Sequence, residues 1–402
     1  MLDSIVRTVV EEGKAARAEA AEPTAPSPGL PEPSAPAAKA PEPASAPPSA
    51  PLAGKKIEPM HEGGSSVRIC VVGCGGAGCN AVSRITQSGI KSATTIAVNT
   101  DASHLKITDA HRKHVLGHRI TKGLGAGGEP EVARKCAEAD IGKLKELIGE
   151  NEITFILAGL GGGTGTGSAP TVARVAKQQG AITIGVVTFP FALERVRIKK
   201  AQQGLQALMD ECDTVILIDN QRLVDYAPSL PINDAFKIVD KISAHAVRGI
   251  SDTIVFPSLM NIDYADVKSI MENGGLAMIS IGEANGTDFV KDVIKKTLEH
   301  PLLDVDYEGA KGALVHIESS NRITLGEAVE IGEGVSAGFD ENANVKMGAR
   351  IAPELSSAVR VTAIVTGVKS KSLLSKAGRE EAADESPIVA TSTVAGEEME
   401  LI

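Results

Sequence analysis

Five glycines and two threonines crowd into the stretch LGGGTGTGSAP: Gly161, Gly162, Gly163, Gly165 and Gly167, with Thr164 and Thr166 among them. Ordered glycine loses more backbone entropy than any other residue, so such a run needs a reason. The stretch follows the apolar run ITFILAG and opens a helical pattern, so its bare amides and both threonine hydroxyls are expected to face outward as donors. Backbone N–H groups at a helix N-terminus bind phosphate. A second glycine turn, GCGGAG, stands in the same setting after another apolar run, and a third, GLGAGGEPE, covers residues 123–131. Brought together at the carboxyl ends of one parallel sheet, the three would cradle a polyphosphate. No GxxxxGKS or GxxxxGKT occurs, so the cradle is not a P-loop.

GCGGAG also satisfies GxGxxG through Gly73, Gly75 and Gly78, and Asp101 lies 23 residues beyond Gly78. That spacing matches the dinucleotide fingerprint, whose acid holds a ribose hydroxyl. A nicotinamide-dependent oxidoreductase is therefore one reading, although it leaves the second glycine cluster unused. The candidate for a water-orienting carboxylate lies elsewhere, in NIDYADV. There Asn261, Asp263 and Asp266 sit on a turn leading into a helix, with the two acids at i and i+3 on one face. Asp263 at that point also suits a plain helix N-cap.

Positioning these residues requires a buried sheet. Apolar runs without alternation, at 67–72, TTIAVNTD, ITFILAG, AITIGVVTFP and TVILIDN, are separated by helical patterns such as 169–179. This is what a parallel sheet covered on both faces requires. A long helical pattern over 233–247 follows, and after Ile250 come LAMISIGEA, GALVHIES and RVTAIVTGV with helices between them. The fold class expected is α/β: a doubly wound parallel sheet, a central helix, and a smaller α+β C-terminal domain.

Composition narrows the function. The chain has 402 residues, a formal net charge of −10, 2% aromatic residues and no tryptophan, so the basic face and stacking rings of a nucleic-acid binder are not expected. No apolar run approaches the ~20 residues of a membrane-spanning helix, and the start lacks the order of a signal peptide. The cysteines, Cys70, Cys74, Cys79, Cys136 and Cys212, form no CxxC pair and read as small apolar core residues in a reducing compartment, with no metal role.

Taken together, GGGTGTG, VVGCGGAGCNAV, VNTD, GLGAGGEPEVA, TFPF, LIDNQRL, INDAF and NIDYADV resemble the tubulin/FtsZ family. Within it the match is to the FtsZ division proteins, of archaeal type, and runs from about residue 67 to 368. The resemblance implies a tubulin-like fold, GTP as nucleotide with Mg2+, and GTPase activity on polymerisation. It assigns phosphate contacts to Gly75, Gly76, Ala77, Gly78 and Asn80, and the α and β groups to Gly163, Thr164, Gly165, Thr166 and Gly167. Ala126, Gly127 and Gly128 would reach the γ-phosphate, and Glu194 and Arg197 the ribose and phosphates. Two residues separate that pair where the family has three, which leaves Arg195 as an alternative. Asn220 would read the guanine edge and Phe236 would stack beside the base, unless it is a core residue. Asp240 would accept from guanine N1 and N2. Asp263, Asp266 and Asn261 would act on the nucleotide of the next subunit, giving a head-to-tail homopolymer. A cytokinetic ring at midcell, on the inner face of the membrane, is the expected role; a filament controlling cell shape is the alternative.

The boundaries expected are an extension at 1–63, a GTP-binding domain at 64–230, the central helix at 231–250, the C-terminal α+β domain at 251–370 and a flexible tail at 371–402. Residues 20–60 hold more than half of the prolines and few large apolar side chains, which reads as a disordered linker. Leu2, Ile5, Val6, Val9 and Val10 form an apolar stripe on a short helix. Its polar face carries Asp3, Glu11 and Glu12, so residues 1–20 read as a protein-docking motif, through which membrane-anchoring division proteins could attach. The C-terminal tail is the other attachment point expected.

Overall fold

The computed structural model describes residues 67–370 except 91, 227, 230, 256–259, 261, 273, 287, 299–304, 321–322, 353–354 and 356–357. The expected N-terminal helix and linker, Asn261 and the C-terminal tail lie outside the described residues.

The first half alternates strands and helices: β1 (Ile69–Cys74), α1 (Gly75–Gln87), β2 (Thr94–Asn99), α2 (Ala102–Ile107), β3 (Arg112–Val115), α3 (His118–Thr121), α4 (Pro130–Ala139), α5 (Ile141–Ile148), β4 (Ile153–Gly159), α6 (Thr164–Gln178), β5 (Ile182–Phe189), α7 (Arg195–Glu211) and β6 (Thr214–Asp219). After α8 (Asn220–Tyr226) comes the central helix α9 (Ile232–Val255), then α10 (Tyr264–Met271) and β7 (Gly275–Ala284). The last part holds α11 (Phe289–Leu298), β8 (Val305–Asp306), β9 (Gly312–Ser319), α12 (Leu325–Ser336), β10 (Asn344–Ile351), β11 (Val359–Thr366) and β12 (Lys369–Ser370).

The first six strands are all parallel, in the order β3-β2-β1-β4-β5-β6. The unbroken apolar runs of β1, β2, β4, β5 and β6 are explained by burial on both faces, whereas β3, RKHV, is a polar, exposed to half-buried edge strand. Val71, Phe155, Ile184 and Ile216 face α1 and Ile238, Val239 and Ile242 of α9. Val72, Ile156, Val187 and Val215 face Val172, Ala173 and Leu205 of α6 and α7. Fully burying each such side chain is worth about 1.5–3 kcal/mol. The C-terminal α+β unit has its own core, with Val293, Ile331 and Val335 packed on Val315, Ile317, Val361 and Val365. It does not have a separate main sheet. β7 pairs parallel to β6 through Thr214–Ile216, and β11, β9 and β10 continue outward, so one ten-stranded sheet runs through the molecule.

Two helices exceed their expected bounds. α6 starts at Thr164 rather than 169, taking the glycine run into its first turn, and α9 extends to Val255. At 1.5 Å per residue the 24-residue α9 is about 36 Å long, enough to link opposite ends of the sheet.

Candidate functional site

In open parallel sheets, ligands bind beyond the carboxyl ends of the strands where the chain order reverses. Here the reversal falls between β1 and β4, and the two glycine turns follow these two strands. They touch: a side chain on Gly75 would meet the Gly165 amide nitrogen at 2.6 Å. The third turn closes on them, because a Cβ on Gly163 would lie 2.9 Å from Glu129 N and 3.1 Å from Gly128 C. Thr100 stitches the group, its Oγ1 2.6 Å from Thr164 Oγ1 and its carbonyl accepting from Gly125 N at 3.1 Å.

The glycines divide by what surrounds them. Gly76, Gly127, Gly128 and Gly162 have nothing within 4 Å of a built Cβ, so they face open space; Gly127 and Gly128 also have φ of +61° and +79°. Ala77 and Asn80 are exposed beside Gly76. Gly78 and Gly167 instead permit close backbone approach: a Cβ would stand 2.2 Å from Leu157 O in the first and 1.9 Å from Pro130 O in the second. Neither α1 nor α6 has a side-chain N-cap bond. The N–H groups of Gly75, Gly76 and Ala77, and of Thr164, Gly165 and Thr166, are therefore first-turn donors without helical partners. The Gly167 N–H already bonds Gly163 O at 3.0 Å. Gly167→Ala is accordingly expected to displace the 126–130 turn and destabilise the fold by about 1–3 kcal/mol. An unchanged thermal midpoint would contradict this.

One sequence expectation is corrected, and one alternative loses its support. The Thr166 hydroxyl points inward, accepting from Gly161 N at 2.9 Å, so it shapes the turn instead of facing a ligand. Asp101 is the N-cap of α2, its Oδ1 accepting from Ser103 N at 2.8 Å and His104 N at 3.1 Å, which removes the ribose acid of the dinucleotide reading.

Around the crevice, Arg197 Nη1 donates to Glu194 Oε1 at 2.6 Å, and the Arg197 carbonyl lies against Gly161. Lys200, which no sequence motif marks, donates to Gly128 O at 2.8 Å and Glu129 Oε1 at 2.9 Å, bringing a cation to the third turn. Phe236 is 46% exposed and meets Phe191 edge-on at 5.9 Å, so it is not a core residue. Asn220 is buried, and its Oδ1 has no hydrogen-bond partner among the described residues, an orphan acceptor at the carboxyl end of β6. Asp240, one turn beyond Phe236 on α9, takes a 2.9 Å bond from Arg84 Nε. Burial raises its carboxyl above the ordinary range while Arg84 opposes the shift. The cysteines are all buried and unbridged, and burial pushes the thiols of Cys70, Cys79 and Cys212 up to about 12, which keeps them protonated and inert.

The acidic turn is far from this crevice. Tyr264 Oη donates to Glu152 O at 3.3 Å, and Thr214 Oγ1 donates to Met271 O at 2.6 Å. Glu152 and Thr214 stand at the amino ends of β4 and β6, whereas the glycine turns leave the carboxyl ends. A strand of seven residues spans roughly 20 Å. Asp263 caps α10, its Oδ1 accepting from Asp266 N at 2.8 Å, and Asp266 Oδ2 accepts from Asp263 N at 3.3 Å. The capping reading thus holds, and it aligns the two acids. Among the described residues no group of three or more His, Cys, Asp or Glu is placed to hold a metal ion, and no helix is long and apolar enough to cross a membrane.

Comparison with known proteins agrees with this geometry. The family model for the Tubulin/FtsZ family, GTPase domain, matches residues 68–228, and that for the FtsZ family, C-terminal domain, matches 275–369. Cell division protein FtsZ 2 of Methanocaldococcus jannaschii is 54% identical over 77% of this chain and 82% of its own. The chain belongs to the FtsZ family. The FtsZ 2 protein of Halobacterium salinarum is 47% identical over 78% of this chain and 80% of its own. A solved FtsZ dimer from M. jannaschii superposes with a TM-score of 0.72 at 44% identity, covering 75% of this chain and 89% of that one. The chain is therefore a guanine-nucleotide-binding GTPase with the tubulin-like fold, and its kinship is with filament-forming division proteins. These relatives favour division over the control of cell shape, and a guanine-nucleotide GTPase domain takes the place of the nicotinamide reading.

Proposed function

We propose that the subunits assemble head to tail and hydrolyse GTP at each contact, building the cytokinetic ring at midcell against the inner face of the membrane. The observation that carries this reading is the separation of the acidic turn from the glycine crevice of the same chain, which a second copy would bridge. Such a contact does not close on itself and so generates a filament. Leu124, Leu193 and Val196, which are 84%, 83% and 72% exposed near the crevice, supply apolar surface for the incoming subunit.

In the nucleotide site, the amides of Gly75–Ala77 and of Thr164–Thr166 would bind the phosphates, with Gly78, Gly163 and Gly167 allowing the turns to approach. Ala126, Gly127 and Gly128 would meet the γ-phosphate, steadied by Lys200. Glu194 and Arg197 would flank the ribose and phosphates; Asn220, Phe236 and Asp240 would hold the guanine. Mg2+ would arrive with the phosphates, as suits an ion bound by few protein ligands. Asp263 and Asp266 would orient the attacking water, while phosphoryl transfer itself depends on positioning and charge. Attachment to membrane-anchoring division proteins would run through residues 1–20 or the C-terminal tail.

The test is GTP hydrolysis per subunit across a dilution series with Mg2+, alongside light scattering. A specific rate that switches on above a threshold concentration, together with scattering, is expected. A rate that stays flat on dilution would mean that each subunit holds a whole active site.

A further inference from the structure

The acidic turn is zipped to β10, the edge strand of the ten-stranded sheet. Met260 and Ala349 exchange two backbone hydrogen bonds of 3.2 Å. Gly348 packs so closely on Ile262 that a Cβ would stand 2.6 Å from its Cδ1. Lys346 Nζ stands 2.9 Å from Asp266 Oδ1, and Asn344 Nδ2 donates to Ser269 Oγ at 3.0 Å. Going down the strand, 349, 348, 346 and 344 meet 260, 262, 266 and 269 in order. The edge strand is therefore a template for the turn.

Lys346 is the cation that this zipper brings onto the acidic turn. With Asp266 Oδ1 on Lys346 and Asp266 Oδ2 and Asp263 Oδ1 on backbone N–H groups, Asp263 Oδ2 is the carboxylate oxygen left without a partner among the described residues. We propose that Lys346 is a positioning residue for hydrolysis at the subunit contact: it holds Asp266 in the capping box, leaves Asp263 to orient the water, and offsets one of the two negative charges that the turn brings to a neighbour's triphosphate. This rests on the intersubunit reading above.

The physical need is plain. Two uncompensated carboxylates advancing on a triphosphate are repelled, and the repulsion grows as the contact excludes water and salt. An ammonium bonded to Asp266 halves that charge without occupying the oxygen that faces the water. The Lys346 side chain is 38% exposed, so it reaches the surface beside the acidic turn. The Asp266 carboxyl is held below the usual carboxylate range, with Lys346 as the leading cause.

The experiment compares Lys346→Met and Lys346→Arg with the unaltered full chain. It reads monomer GTP affinity, critical concentration by sedimentation, and turnover per polymerised subunit, at low and high salt. Lys346→Met is expected to bind GTP normally and to lose roughly tenfold or more in turnover per polymerised subunit, the scale of a misplaced reacting group. Its critical concentration should rise more at low salt than at high salt, and Lys346→Arg should restore both. If Lys346→Met proves misfolded by circular dichroism, Lys346→Gln replaces it under the same criteria. Turnover equal to the unaltered chain, or a loss that arginine does not rescue, would overturn the proposal. If the unaltered chain itself shows no concentration threshold, the intersubunit reading fails first and this inference with it.

Discussion

Asp263→Asn is expected to lower GTP turnover by roughly 10²–10⁴-fold, the usual contribution of a positioned general base. GTP binding and filament assembly should survive. The choice of asparagine matters because Asp263 has two jobs. Its Oδ1 caps α10 by accepting from Asp266 N, and an asparagine oxygen caps a helix about as well. Its Oδ2 has no partner among the described residues and is the oxygen available to a water. The amide keeps the first job and loses the second, since it cannot accept a proton at neutral pH. Asp266→Ala would be less clean: it removes half of the capping box and leaves Lys346 without its carboxylate. Single-turnover hydrolysis in filaments assembled before mixing separates chemistry from assembly. An undiminished rate for Asp263→Asn would remove this carboxylate from the reaction.

The glycine turns were legible because their meaning is local. A glycine run between an apolar strand and a helix points to backbone donors wherever the chain goes afterwards. What each glycine does was not legible, because that depends on neighbours distant in sequence: Gly78 abuts Leu157, and Gly167 abuts Pro130. Asp101 was ambiguous for a related reason. A ribose-binding acid and a helix N-cap occur at the same point after a strand, and only the bonds to Ser103 and His104 separate them. The start of α6 was placed late because glycines and Pro170 lower helix propensity. Packing against the 126–130 turn outweighs that cost. The α/β order and the C-terminal unit followed from apolar periodicity, but the joining of β6 to β7 did not, since three residue pairs leave no mark on either run. The separation of the acids from the crevice rests on Tyr264 reaching Glu152, 112 residues away. Lys200 and Lys346 belong to no motif, and only their ion pairs disclose them.

Asp240→Asn is expected to turn a guanine site toward xanthine. Guanine presents two donors side by side, N1–H and the 2-amino group, and a carboxylate can accept from both. An amide offers one acceptor and one donor, so its NH2 would oppose the 2-amino group of guanine but could donate to the 2-carbonyl of xanthine. A hydrogen bond to a charged partner is worth about 1.5–3 kcal/mol, so the ratio of GDP to XDP affinity should fall by about 10–100-fold. The surroundings of Asp240 make the carboxylate necessary. Burial disfavours its charge, while the Arg84 guanidinium at 2.9 Å favours it, so the acceptor form depends on that pairing. Asparagine removes the negative charge paired with Arg84, so a melt run beside the binding titration is needed to separate a lost preference from a loosened fold. Phe236 lies one turn before Asp240 and remains exposed in either variant, so stacking should hold and total affinity for purine nucleotides should fall less than the preference does. An unchanged GDP to XDP ratio in a variant that melts normally would mean that the base is read elsewhere. The buried Oδ1 of Asn220, which has no partner among the described residues, would then be the remaining reader among the assigned residues.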